Sequence, residues 1–99
     1  MDKQKLIEKL EKEQEVATWR DLRVHSARGA ILLIGNGISL AEVGAEFAID
    51  NKLQVAKWIT EQTIKKPDQD FLNDMEKNLE KQFSFIIIQP YVLIHELLN

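Results

Sequence analysis

The sequence predicts an α+β fold, a single small domain in which a three- or four-stranded sheet is flanked by four or five helices. Three observations predict it. Ala30–Ile34 and Phe83–Ile94 are apolar, largely aliphatic and β-branched runs, the pattern of strands covered on both faces. Elsewhere, apolar residues recur every three or four positions beneath polar faces, as in amphipathic helices. Capping and turn residues stand where one period gives way to the next.

Ninety-nine residues make one domain, which buries roughly 60–65% of the surface its unfolded chain exposes. A content of 44% hydrophobic and 29% charged residues is that of a globular chain, not a disordered one. The absence of cysteine excludes disulfides, thiolate metal sites and thiol catalysis. No secretory leader pattern opens the chain, so a cytoplasmic protein is expected. No apolar run approaches the ~20 residues that span a bilayer, so no membrane partner is expected. A net charge of −3 gives no global attraction to nucleic acid or anionic lipid.

Residues 1–17 are set apart as an N-terminal amphipathic helix, and residues 18–99 form the α+β domain. The helix covers 3–14, with Leu6, Ile7 and Leu10 in a narrow stripe that Ala17 can extend. Thr18 then caps a helix from Trp19 to about Ala27, with Asp21 completing an approximate capping box. Trp19 and Leu22 face inward, and Gly29 stops the helix in the left-handed region. The strand Ala30–Ile34 follows, and Gly35-Asn36-Gly37 is a turn. This loop lacks the spacing and the lysine of a phosphate loop.

Ser39 and Glu42 form a capping box for the next helix. There Leu40, Val43 and Phe47 share the inner face, Gly44 permits close packing, and Glu42, Ala45 and Glu46 look outward. Asp50 or Asn51 starts a further helix to about Gln62, with Val55, Trp58 and Ile59 on one side. Thr63–Lys66 is a short edge strand guarded by its lysines. Pro67 and Asp68 open a helix carrying Phe71 or Leu72, Met75 and Leu79 inward. Pro90 breaks the final run, leaving a strand to Gln89 and another over Tyr91–His95, with a helix over Tyr91–Leu98 as the alternative. The expected core is Trp19, Leu22, Ile31, Leu33, Val43, Phe47, Val55, Trp58, Phe85, Ile87 and Leu93.

Several pieces occur together in a recognisable order. They are Thr18-Trp19-Arg20-Asp21-Leu22, Ala27-Arg28-Gly29, Leu40-Ala41-Glu42-Val43, Asp50, Val55-Ala56-Lys57-Trp58-Ile59 and Ile86-Ile87-Ile88-Gln89-Pro90-Tyr91-Val92-Leu93-Ile94. In these the chain resembles the DUF2288 family, small bacterial proteins of uncharacterised function, from about Thr18 to Glu96. The family commonly carries tryptophan at Tyr91, glutamine at His95 and a glycine near Gln62. The resemblance implies no reaction and no ligand.

Reactive residues are few. His25 and His95 are the two histidines, and neither stands at catalytic spacing to Ser26, Ser39 or Ser84. His95 and Glu96, adjacent on a strand, point to opposite faces and do not share a metal. Capping accounts for Asp50. No catalytic, cofactor-binding or metal-ligating residues are therefore assigned, and no cofactor or small molecule is expected. The favoured reading is a non-enzymatic module that contacts a protein partner or itself as a homodimer. Its candidate contact surfaces are the outward face of the fourth helix, Leu53, Gln54, Lys57 and Glu61, the N-terminal stripe, and the strand edge beyond Pro90. The alternative is a winged-helix-like nucleic-acid binder using the helices on either side of Asp50 and the strand after them. Lys57 opposed by Glu61, and Glu42 with Glu46 nearby, argue against it.

Overall fold

The computed structural model describes residues 2–97. Along the chain run α1 (Lys3–Glu13), β1 (Glu15–Thr18), α2 (Trp19–Ala27), β2 (Ile31–Ile34), α3 (Leu40–Ala48), α4 (Lys52–Thr60), β3 (Ile64–Lys65), α5 (Gln69–Glu76), β4 (Gln82–Ile88) and β5 (Tyr91–Glu96). The class is α+β, but the sheet has five strands where three or four are expected from sequence. The additional strand is β1. Ala17, expected to prolong the N-terminal helical stripe, instead pairs with Phe83 in that strand.

The strand order is β1-β4-β5-β2-β3. The pairs β1/β4, β4/β5 and β2/β3 are antiparallel, and β5 lies parallel to β2 with Ile31 beside Val92 and Leu33 beside Ile94. Gln89 and Pro90 form the turn of the β4–β5 hairpin, and their peptide bond is cis. Tyr91–Glu96 is strand, and Leu98 lies outside the described residues.

The two-residue period divides the sheet's side chains between two layers. On one face, Ile31, Phe83, Val92 and Ile94 meet Trp19 and Leu22 of α2 and Met75 of α5. On the other, Leu32, Ile34, Ile64, Ile86 and Leu93 meet Leu40 and Val43 of α3, with Phe47 and Trp58 against them. Helix α1 packs outside α3, with Leu10 against Ala41 and Ala45. Helix α1 thus covers a helix of the domain, and β1 extends the domain's sheet.

Local signals hold at most joints. Ser39 Oγ accepts from the Glu42 N–H at 3.0 Å, Asp68 Oδ1 accepts from the Phe71 N–H at 2.8 Å, and Gly29 takes φ 71°. At Thr18 the hydroxyl donates to Asp21 Oδ2 instead of capping a backbone N–H. The cap of α4 is Asn51, which accepts from the Gln54 N–H at 3.3 Å, while Asp50 sits in the left-handed turn before it at φ 58°.

Two burial expectations are corrected. Ala45 and Glu46 are buried, because α1 lies across the face of α3 expected to meet water. Ile87, expected in the core, is 51% exposed, because it lies outside the cluster that Trp19, Leu22 and Met75 cover on that face. Leu33, Phe47, Val55, Trp58 and Phe85 are half-buried; the remaining expected core residues are fully buried.

Candidate functional site

The expected contact residues lie along α4 and its cap. Leu53 is 86% exposed, Lys57 and Glu61 are exposed, and Gln54 is half-buried. Beside them, Phe47, Val55, Ile59 and Tyr91 line a shallow groove of about 320 Å³ between α3, α4 and the start of β5. The strand beyond Pro90 is not an edge. β5 is held between β4 and β2, so its Ile-rich neighbourhood needs no second chain to cover it.

The arrangement behind the nucleic-acid reading is also different from the one expected. β3 is the edge of the five-stranded sheet, paired with β2, and not an arm of a free wing. Lys52 stands 4.0 Å from Asp50. Glu46 does not face an incoming phosphate; it is buried, bound by Lys3 Nζ at 2.5 Å and Asn51 Nδ2 at 2.6 Å. The hydrogen bond from Lys3 outweighs burial and holds the Glu46 carboxyl below the usual carboxylate range, with Asn51 adding to it.

The two histidines are far apart in role. His25, near the end of α2, lies against the Arg28 guanidinium. His95 faces the α3 side of the sheet opposite Ser84, and its Nε2 is buried without a hydrogen-bond partner among the described residues. Glu96 points to the other face and pairs with Lys81 at 2.7 Å. No group of three or more potential metal ligands occurs among the described residues.

The open edges of the sheet are β1 and β3. On β1, the Trp19 N–H donates to the Lys81 carbonyl at 2.9 Å, and Trp19 is in line with Glu15 and Ala17. In an antiparallel pair the direction of the backbone groups alternates residue by residue. Glu15 and Ala17 therefore bond to β4, and the N–H and C=O of Val16 point away from the sheet. Val16 also leaves its side chain 55% exposed. Sequence reasoning missed this edge because Glu15-Val16-Ala17-Thr18 is too short and too mixed to show a strand period. The one available signal was the change of character after Glu13.

A family profile described as "protein of unknown function (DUF2288)" matches residues 5–96. The chain belongs to the DUF2288 family. No curated protein matches it. Its fold is similar to the NMR solution structure of PA1075 from Pseudomonas aeruginosa, at 28% identity and a TM-score of 0.79, over 96% of this chain and 87% of that one. In this DUF2288 protein the turn after α4 favours glycine at the position of Gln62. Gln62 follows α4 at φ 63°, a conformation glycine adopts without strain.

Proposed function

We propose that this DUF2288 protein works by protein contact, as a self-associating module in which β1 of one copy pairs with β1 of another. The observation that carries the reading is the outward-facing backbone of Val16 on an uncovered sheet edge. A strand edge offers N–H and C=O groups that another strand satisfies directly. The other edge is two residues long and is followed by Lys66 and Pro67, a guarded end.

The outward-facing backbone of Val16 and the charge of Glu15 together favour one register with a second copy. Antiparallel pairing centred on Val16 sets Val16 opposite its own copy and Glu15 opposite Ala17. Centring on Glu15 would set like charges directly opposite each other. Four-residue strands bury less than the ~1,200–2,000 Å² of a standard stable complex, so the dimer is weak, with Kd about 10–100 μM.

Sedimentation velocity over a concentration series tests this. The wild-type chain shifts from monomer to dimer as concentration passes that range. Val16→Pro removes an N–H that β4 does not use, so it stops edge pairing while leaving the internal ladder intact. It stays monomeric with a native spectrum. A wild-type chain that remains monomeric at ten times the upper concentration defeats the proposal, as does a Val16→Pro protein that still dimerises.

A further inference from the structure

We infer a second site, a cleft that takes a small organic monoanion with an apolar ring or branched chain. The cleft holds about 300 Å³ and opens where the parallel strands β2 and β5 end, between the sheet and the start of α5. In open sheets the carboxyl ends of parallel strands are where ligands sit, because the loops diverge there and leave a crevice. Here the Ile34–Asn36 segment leaves the sheet as β5 finishes at Glu96, and the Gly35 N–H is held by the Thr63 carbonyl at 2.8 Å.

Leu33 and Phe71, both half-buried, give the cleft its apolar surface, and Phe83 and Ile94 lie behind them, fully buried. The rim carries charge, and the charges are not equivalent. Glu96 is already paired with Lys81 at 2.7 Å. Asp68 is engaged with the Phe71 N–H as the cap of α5. Lys65 and Lys66 also line the cleft, and among the described residues neither has a carboxylate within 4.0 Å. Lys65 stands opposite Leu33 in the β2–β3 pair, which puts it on the face of the sheet that forms the floor. The charges that line the cleft balance, Lys65 and Lys66 against Asp68 and Glu96, and one positive charge remains because Lys81, outside the lining, neutralises Glu96.

An apolar floor with a single net cation at the rim selects a monoanion with a hydrophobic body. A neutral molecule would gain nothing from the two lysines, and a bare dianion would leave the apolar surface in water. The volume is at the small end of ligand pockets and suits a single-ring acid. The site is independent of the β1 edge, which is on the opposite side of the sheet order.

The test is an amide-resolved NMR titration of the wild-type chain with phenylacetate, and separately with phenylacetamide and inorganic phosphate. Phenylacetate is expected to give saturable shifts centred on Asn36, Thr63, Lys65 and Phe71, with Kd on the order of 1 mM for about ten heavy atoms. Lys65→Gln and Lys66→Gln, both at exposed positions, are each expected to weaken binding at least about fivefold. Lys57→Gln is the matched control and leaves it unchanged. Equal binding of phenylacetamide, binding of phosphate without phenylacetate, no saturation, or no effect of either cleft lysine would each overturn the assignment.

Discussion

Glu46 on α3 and Lys3 on α1 form an ion pair at 2.5 Å in which the glutamate is 6% exposed and the lysine remains half in water. The same carboxylate accepts from Asn51, the residue that caps α4. One side chain therefore ties three helices together, and its partners account for its burial.

This geometry fixes the sign of a pH effect. The folded-state pKa of Glu46 lies below its ordinary value near 4.5. Its stabilisation is thus fully present above that value and is lost as pH falls through the lower, folded-state value. Glu46→Gln is expected to cost about 1 kcal/mol near neutral pH, limited by the exposure of Lys3. It is also expected to flatten the acid limb of stability against pH. Urea unfolding of both proteins between pH 3 and about pH 7 checks this; parallel curves would show that the pair contributes nothing.

Gly44 sits where α3 passes between the sheet and α1. A Cβ there would lie 2.6 Å from Ile86 Cδ1 and 3.2 Å from Leu10 Cδ1. Two effects oppose each other in Gly44→Ala. Helix propensity gains about 1 kcal/mol, and overpacking a filled core costs about 1–3 kcal/mol. Ile86 is fully buried, so the clash is expected to win by about 1 kcal/mol. Adding Ile86→Val removes the obstructing methyl, so the double variant should lose less than the two single losses combined. Additive losses in a denaturation cycle would contradict the steric account.

How far the fold was legible follows from where each residue's environment comes from. Ser39, Asp68 and Gly29 act within one turn, and their roles are readable from neighbours three residues away. The apolar runs likewise announce β2, β4 and β5. What is not local is not readable. The inward turn of Ala45 and Glu46 depends on α1 arriving from over thirty positions upstream. The exposure of Ile87 depends on how far α2 and α5 reach over the sheet face. The edge at Val16 and the cleft at Lys65 exist only once the strand order is set, since β2 and β5 are neighbours in space and distant in sequence. The exposure of Leu53, Lys57 and Glu61 is open to the helical period alone.

Gln62 ends α4 at φ 63° with a side chain that has no need of that conformation. A residue with a Cβ is held there at a cost of about 1 kcal/mol. Gln62→Gly is expected to raise stability by about 0.5–1 kcal/mol, because relief of strain exceeds the added freedom of the unfolded chain. The converse holds at Gly29, where φ is 71° and an added Cβ would meet no atom within 4 Å. Gly29→Ala should therefore destabilise by backbone strain alone, by about 1 kcal/mol. Thermal unfolding of both variants checks the pair, and a common sign would break the conformational explanation.

The two tryptophans are expected to behave differently. Trp19 is 1% exposed, stacks edge-on against Phe71 with centroids 5.6 Å apart, and donates its Nε1 hydrogen to Glu76 Oε2 at 3.2 Å. Trp58 is half-buried at the margin of the opposite cluster. Trp19→Ala is expected to cost ~3–5 kcal/mol, and Trp58→Ala about half as much, because only part of its ring leaves water on folding. Emission separates them without unfolding. With Trp58→Phe, the remaining Trp19 should emit at short wavelength and resist acrylamide; with Trp19→Phe, the remaining Trp58 should emit to the red and be quenched. Equal quenching in the two variants would mean that α2 and α5 do not close over the sheet face on which Trp19 lies.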